Sequence, residues 1–227
     1  MKVSPLIFVV PAATVCMVAT PALAAPEDVI LDSTDTISQF VSSRRSKERI
    51  PPQIIRRAKG IAIFPGIITG GLIFAGTNGE GILIIRDNQG RWNKPVIVSI
   101  SGGSFGLQAG GKSTDAILVF MSDRSIRKTL QKSFTLGGNV SVAAGPAGKD
   151  PVNPTDTDAD IYSYTKSEGL FAGVALEGSK IAYDRRETQK LYRRRNLDDS
   201  RRALNDRTLP SSPAIRELQQ VLYDAQK

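Results

Sequence analysis

From Glu27 to Ser43, Ile30, Ile37, Phe40 and Val41 recur at helical spacing, which predicts an amphipathic helix. Pro51 and Pro52 suit the first turn of a second, short helix, and Gly60 suits its end. Short apolar runs broken by turn residues follow. Ile61 to Phe64 is one; Leu72 to Ala75 precedes Thr77-Asn78-Gly79, and Ile82 to Ile85 precedes Asp87-Asn88-Gln89-Gly90, both turns in hairpin positions. Trp92 and Pro95 introduce a strand through Val96, Val98 and Ile100, and Ala116 to Met121 is another apolar run. Ser122 can cap a helix carrying Ile126 and Leu130 four apart. Glu187 to Arg195 and Pro213 to Ala225 read as C-terminal helices, joined by a polar connector from Leu197 to Pro210.

The rest of the chain is expected to be organised around Leu136 to Ser179. Val140, Val142 and Ala144 alternate with Ser141 and Ala143, and Leu170, Ala172, Val174 and Leu176 alternate with Phe171, Gly173 and Ala175. That period of two, with turn chemistry between the halves, predicts two strands. Glycines inside strands weaken them unless another backbone passes close, so a tightly layered sheet is expected. With no regular alternation of strand and helix, the fold class is α+β: a glycine-rich, mostly antiparallel sheet, as a sandwich or partly closed barrel, with N-terminal and C-terminal helices.

Composition changes the picture at three points. Residues 1–24 carry one charge, Lys2, an apolar run from Leu6 to Ala19, and Ala22-Leu23-Ala24 before Ala25-Pro26. This reads as a secretory signal peptide cleaved after Ala24, so the protein is expected to be exported, to the periplasm or beyond, and peripheral to the membrane. Cys16 is the only cysteine and falls inside that leader, and the chain has no histidine. The mature chain is therefore without thiolate or imidazole ligands, disulfides, or the usual base of a hydrolase. The net charge is +8, unevenly spread. Arg44, Arg45, Lys47, Arg49, Arg56, Arg57 and Lys59 oppose only Glu48; Lys190, Arg193, Arg194, Arg195, Arg201, Arg202 and Arg207 form a second cluster diluted by Asp198, Asp199 and Asp206. Such clusters attract anionic headgroups or nucleic acid, and equally cover solvated helices.

Several blocks in order resemble one known family. Ile50-Pro51-Pro52 through Ala58-Lys59-Gly60-Ile61-Ala62-Ile63-Phe64, Gly103 through Gly111 with Ser113-Thr114-Asp115, Leu136 to Gly148, and Ile161 to Ser179 are similar to the SYLF domain, also called the actin-binding domain of yeast actin-patch proteins. The similarity spans roughly Ser46 to Tyr192. It implies lipid binding, particularly of phosphoinositides in eukaryotic members, actin binding in some, and no enzymatic activity or cofactor. The organisation expected is a signal peptide (1–24), an N-terminal helical segment (25–45), a SYLF-like domain (46–195), and a C-terminal connector and helix (196–227).

Four catalytic or metal-binding patterns fail on context. Gly106-Leu107-Gln108-Ala109-Gly110-Gly111-Lys112-Ser113 fits a phosphate loop, but a β-like run follows where the helix should start. Gly102-Gly103-Ser104-Phe105-Gly106 fits a nucleophile elbow without a histidine, and Ser163-Tyr164-Thr165-Lys166 has serine–lysine spacing without partner motifs. Asp156, Asp158 and Asp160 alternate as hard-cation ligands could, but Ile161 and Ser167 stand where a calcium loop needs Gly and Glu.

The functional expectation is an anionic phospholipid membrane as partner, met by the basic segment Arg44 to Lys59. Phe40, Val41, Ile54 and Ile55 are candidates for acyl contact if they are not core. The alternative is a structural or adaptor protein of the envelope with a protein partner. Nucleic acid is not expected, since no aromatic residues interleave with the basic clusters. Actin is not expected either, given the export signal.

Overall fold

The computed structural model describes residues 25–45, 49–71, 74–105, 110–129, 133–138, 141–146, 159–167, 176 and 178–227. In chain order the elements are α1 (Pro26–Ser42), α2 (Pro52–Arg57), β1 (Gly60–Gly71), β2 (Phe74–Ile85), β3 (Val96–Phe105), β4 (Gly110–Phe120), α3 (Asp123–Thr129), β5 (Ser133–Thr135), β6 (Val142–Ala144), β7 (Ile161–Ser167), β8 (Lys180–Tyr183), α4 (Arg185–Tyr192), α5 (Ser200–Asn205) and α6 (Pro213–Asp224). Among the described residues the eight strands form one curled, open sheet in the order β5-β8-β3-β2-β1-β4-β7-β6. Every pairing is antiparallel except β6 with β7. The α+β expectation, with a mostly antiparallel sheet and helices at both ends of the chain, is borne out.

The four long strands have two unlike halves. In one half Ile61 to Phe64, Ile82 to Leu83, Val96 to Val98 and Ala116 to Phe120 are buried at consecutive positions, so both faces are covered. That is why these runs read as solid apolar blocks without alternation. The helix α1 packs on β1, β2 and α6, and α4 packs on β3. In the other half the ladder crosses a rung of four glycines, Gly103, Gly76, Gly70 and Gly111, on β3, β2, β1 and β4. Two residues back along β1, Ile68 is 59% exposed. The halves meet at a bulge in β1, where Gly66 takes a positive φ of 65° and its N–H donates to Asp115 Oδ1 at 2.9 Å.

The central position belongs to β1 and β2, not to Leu136 to Ser179. Leu136 to Gly138 is a turn, Val142 to Ala144 is a three-residue edge strand, and Leu136 N–H donates to Ser179 O at 2.9 Å. The expected strand from Leu170 to Val174 and the alternating position Val140 lie outside the described residues.

Thr77-Asn78-Gly79 is not a turn: it lies inside β2, with Thr77 opposite Thr69 and Asn78 opposite Ile68. The glycine there serves close packing, because a Cβ on Gly79 would sit 3.1 Å from both Ile100 Cγ2 and Ile67 Cγ1. The turn at Asp87 does form. Asp87 Oδ1 accepts from Gln89 N and Arg91 N, and Gly90 adopts φ of 76°. The connector from Leu197 to Pro210 contains α5, capped by Asp199, whose carboxylate accepts from Arg202 N at 2.9 Å.

The motifs declined above have structural occupations. Gly110 to Ser113 runs straight into β4, so no helix N-terminus faces a phosphate there. Ser163 and Lys166 lie three apart on β7 and so point to opposite faces; Ser163 Oγ donates to Ala143 O, and Lys166 Nζ to Gln39 Oε1. Asp156 and Asp158 lie outside the described residues. Asp160 accepts from Ser122 Oγ at 2.7 Å and Ser141 Oγ at 3.4 Å, which ties the start of α3 to the start of β6. The bond from Ser122 chiefly holds its carboxyl below the ordinary carboxylate range. A depressed carboxylate contributes stability that is present above its unfolded pKa, about 3.9, and is lost as pH falls through the folded value. The urea midpoint is therefore expected to drop more steeply below about pH 4 in the native chain than in Asp160→Asn.

Candidate anion-binding cleft

The basic segment does not form one surface. Arg44 and Arg45 are exposed just beyond α1, and Lys47 lies outside the described residues. Arg49 lines a groove of about 380 Å³ between the ends of α1 and α6, with Val41, Ile50 and Val221. Arg56, Arg57 and Lys59 line a separate cleft of about 750 Å³ at the buried end of the central strands. Its other walls include Arg86, Asp87, Met121, Asp123 and Ile126.

The apolar side of the segment settles one alternative. Phe40, Ile54 and Ile55 are 2%, 1% and 0% exposed, and only Val41 is half-buried. Acyl contact through Phe40, Ile54 and Ile55 is therefore excluded in this fold: they belong to the core that α1 and α2 share with the sheet. Burying such a side chain stabilises by about 1.5–3 kcal/mol. Withdrawing three of them for a bilayer would forfeit stability of the same order as the whole fold's.

Backbone ladders hold the cationic side in place. Lys59 N–H donates to Phe120 O at 2.8 Å, and Arg86 N–H donates to Lys59 O at 2.9 Å, so the segment is pinned to the ends of both β4 and β2. Arg86 was not anticipated. Its Nη1 donates to Gly90 O at 2.7 Å and its Nη2 to Ile55 O at 2.9 Å, while its guanidinium sits 4.1 Å over the Trp92 ring. Its Nε is buried without a hydrogen-bond partner, and burial pushes its pKa below the usual arginine value. A guanidinium stays protonated through any such shift at neutral pH. Trp92, 8% exposed beneath that guanidinium, offers no open ring for base stacking.

Arg56, Arg57, Lys59 and Arg86 have no ion-pair partner among the described residues. Asp87 is already engaged, by Arg91 at 3.0 Å and Arg207 at 3.2 Å. Backbone hydrogen bonding from Arg91 is the main reason its carboxyl lies below the ordinary range. The second basic cluster is partly neutralised in the same way: Lys190 pairs with Glu187 at 2.7 Å, and Arg194 lies 3.8 Å from Asp206. Among the described residues no group of three or more Cys, His, Asp or Glu could hold a metal ion, and no helix is long and apolar enough to cross a membrane.

These features define a glycine-rich α+β domain with a cationic cleft lined by Arg56, Arg57, Lys59 and Arg86. The chain belongs to the Ysc84 family, described as "Las17-binding protein actin regulator", which matches residues 101–225 and bears out the SYLF resemblance. The chain is 36% identical over 148 residues to Protein YSC84 of Saccharomyces cerevisiae, covering 63% of this chain and 31% of that protein. It is 36% identical over 148 residues to LAS seventeen-binding protein 3 of the same species, covering 63% and 32%. It is 34% identical over 156 residues to human SH3 domain-containing YSC84-like protein 1, covering 67% and 45%. The chain thus spans a third to somewhat under half of these relatives, none of which is named as an enzyme. No solved structure matches it. The cleft residues from Arg56 to Arg86 precede the family-matched block.

Proposed function

We propose that this chain is a non-enzymatic protein of the cell envelope that docks on anionic phospholipid surfaces through the cleft of Arg56, Arg57 and Lys59. The observation that carries this reading is three exposed cations around one cleft with no carboxylate paired to any of them. Each Lys or Arg near an anionic surface contributes about 1 kcal/mol of attraction. This reading takes that surface to lie outside the cytoplasm, in keeping with the leader expected at residues 1–24. Docking is electrostatic, and α2 stays in the core.

The test is sedimentation with vesicles of phosphatidylglycerol or of phosphatidylcholine. Binding to the anionic vesicles is expected to weaken as salt shortens the screening length from about 10 Å at 0.1 M to about 3 Å at 1 M. Arg56→Gln with Arg57→Gln is expected to lower partitioning roughly 30-fold, about 2 kcal/mol. Equal binding to both vesicle types would end this reading. A second reading, an adaptor with a protein partner, is favoured by the names of the yeast relatives, one of which is a LAS seventeen-binding protein. A pull-down that returned one stoichiometric protein while vesicles of either kind stayed unbound would select it. Actin stays outside the proposal for an exported chain.

A further inference from the structure

We infer that the chain pairs with a second copy of itself, the acidic outer face of α1 on one copy lying against the basic outer surface of α4 and α5 on the other. This goes beyond the membrane reading and does not depend on it. Leu31 is 43% exposed on α1, and Glu27, Asp28, Asp32 and Asp35 are exposed around it. Positions three and four apart are neighbours on a helix surface, so the leucine sits among carboxylates. None of the four forms an ion pair among the described residues. Glu27 and Asp28 lie in the first turn and complement the helix dipole, and Asp28 also accepts from Ala25 N at 3.2 Å. Asp32 and Asp35 lie beyond that turn, where aspartate is a poor helix former, so folding gains nothing from their charge.

The opposite surplus lies close by. Arg186 on α4, Arg193 and Arg195 just past it, and Arg201 and Arg202 on α5 are exposed, again with no ion pair among the described residues. Arg201 and Arg202 fall in the first turn of α5, the helix end at which a cation is disfavoured. Each face therefore carries like charges that the isolated chain leaves uncompensated, and each supplies what the other lacks. The aliphatic stems of the arginines give Leu31 an apolar surface to pack on. Helices α1 and α4 touch within the chain, so the two faces are neighbours. A two-fold axis between them sets each face against its opposite on the second copy, and the contact closes at two copies.

The experiment is sedimentation velocity on the whole chain without lipid. At about 100 µM protein a dimer is expected in dilute salt, dissociating at about 1 M, where the screening length is about 3 Å. Asp32→Lys with Asp35→Lys is expected to give a monomer, and so is Arg201→Glu with Arg202→Glu. An equimolar mixture of these two variants is expected to form a heterodimer, because the changed faces again meet with opposite signs; misfolded variants would not do this. Leu31→Ala is expected to weaken self-association about tenfold with an unchanged melting temperature. A native chain that stays monomeric in dilute salt overturns the inference, as does a dimer indifferent to salt and to both charge reversals. Folded variants that fail to associate when mixed overturn it too. A mass that keeps rising with concentration would place the faces head to tail in an open chain and overturn the closed pair. Vesicle binding through Arg56 and Arg57 is measured separately and survives either result.

Discussion

Gly81→Val is expected to destabilise the fold by at least about 3 kcal/mol and to lower the urea midpoint sharply. Gly81 lies on β2 next to the bulge in β1, and a Cβ there would run into the Ile63 carbonyl oxygen and come within 2.7 Å of Phe64 Cδ1. Overpacking a core costs about 1–3 kcal/mol when side chains can shift, and more when they cannot. Here the obstacle is backbone that is paired on both sides, Ile63 with Ile82 on β2 and with Ile117 on β4. The cost is therefore expected at or above about 3 kcal/mol, a large part of the 5–15 kcal/mol typical of a domain. Gly76→Ala, on the same strand, is the control. A Cβ at Gly76 meets nothing within 4 Å and its φ is not positive. Restricting the unfolded chain there is expected to stabilise by about 0.4–1 kcal/mol. Urea unfolding of the two variants beside the parent measures both; a parent-like midpoint for Gly81→Val would show that the bulge yields.

Ile55→Ala is expected to cost about 2–5 kcal/mol, lowering the melting temperature by roughly 5–15 °C in a chain of this size. Ile55 is fully buried, and its carbonyl receives the Arg86 bond that shapes the cleft. The side chain itself never reaches the surface, so vesicle binding measured well below the melting transition is expected to match the parent's. If Ile55 contacted acyl chains, the result would be reversed: binding would fall while the melting temperature held. Thermal unfolding followed by circular dichroism, with sedimentation at low temperature, separates the two.

The elements most legible in the sequence were those whose neighbours are local. Helix α1 followed from Ile30, Ile37 and Phe40 at helical spacing, and the turn after β2 from Asp87 and Gly90. Misreadings came where distant chain segments decide a residue's role. Gly79 has turn chemistry beside Asn78, yet it is glycine because Ile67 and Ile100 close on it from β1 and β3. The alternation around Val142 and Leu176 pointed to a centre, but the middle of the sheet is made by uninterrupted apolar runs that show no alternation because both faces are buried. The cleft was half legible. Arg56, Arg57 and Lys59 stood out as a charge run, whereas Arg86 looked like an ordinary polar residue at a strand end. Its partners, Ile55 O and Gly90 O, are brought to it by the fold, and only Trp92, six residues on, hinted at a stacked cation. The apolar side of α2 gave no signal of its own, since a membrane-facing stripe and a core-facing stripe share one spacing.

The central place of β1 and β2 bears on how this chain can be cut. A recombinant piece beginning at residue 101, where the family match starts, would keep β4 but lose the partner that borders it on one side, and would retain only part of β3. The eleven-residue rim thus bared is far longer than the three-residue strands that now end the sheet, and such a rim recruits foreign strands. Truncations meant to isolate the shared block would therefore yield inclusion bodies, and a workable boundary lies upstream of Pro26, before the first helix that shields the middle of the sheet.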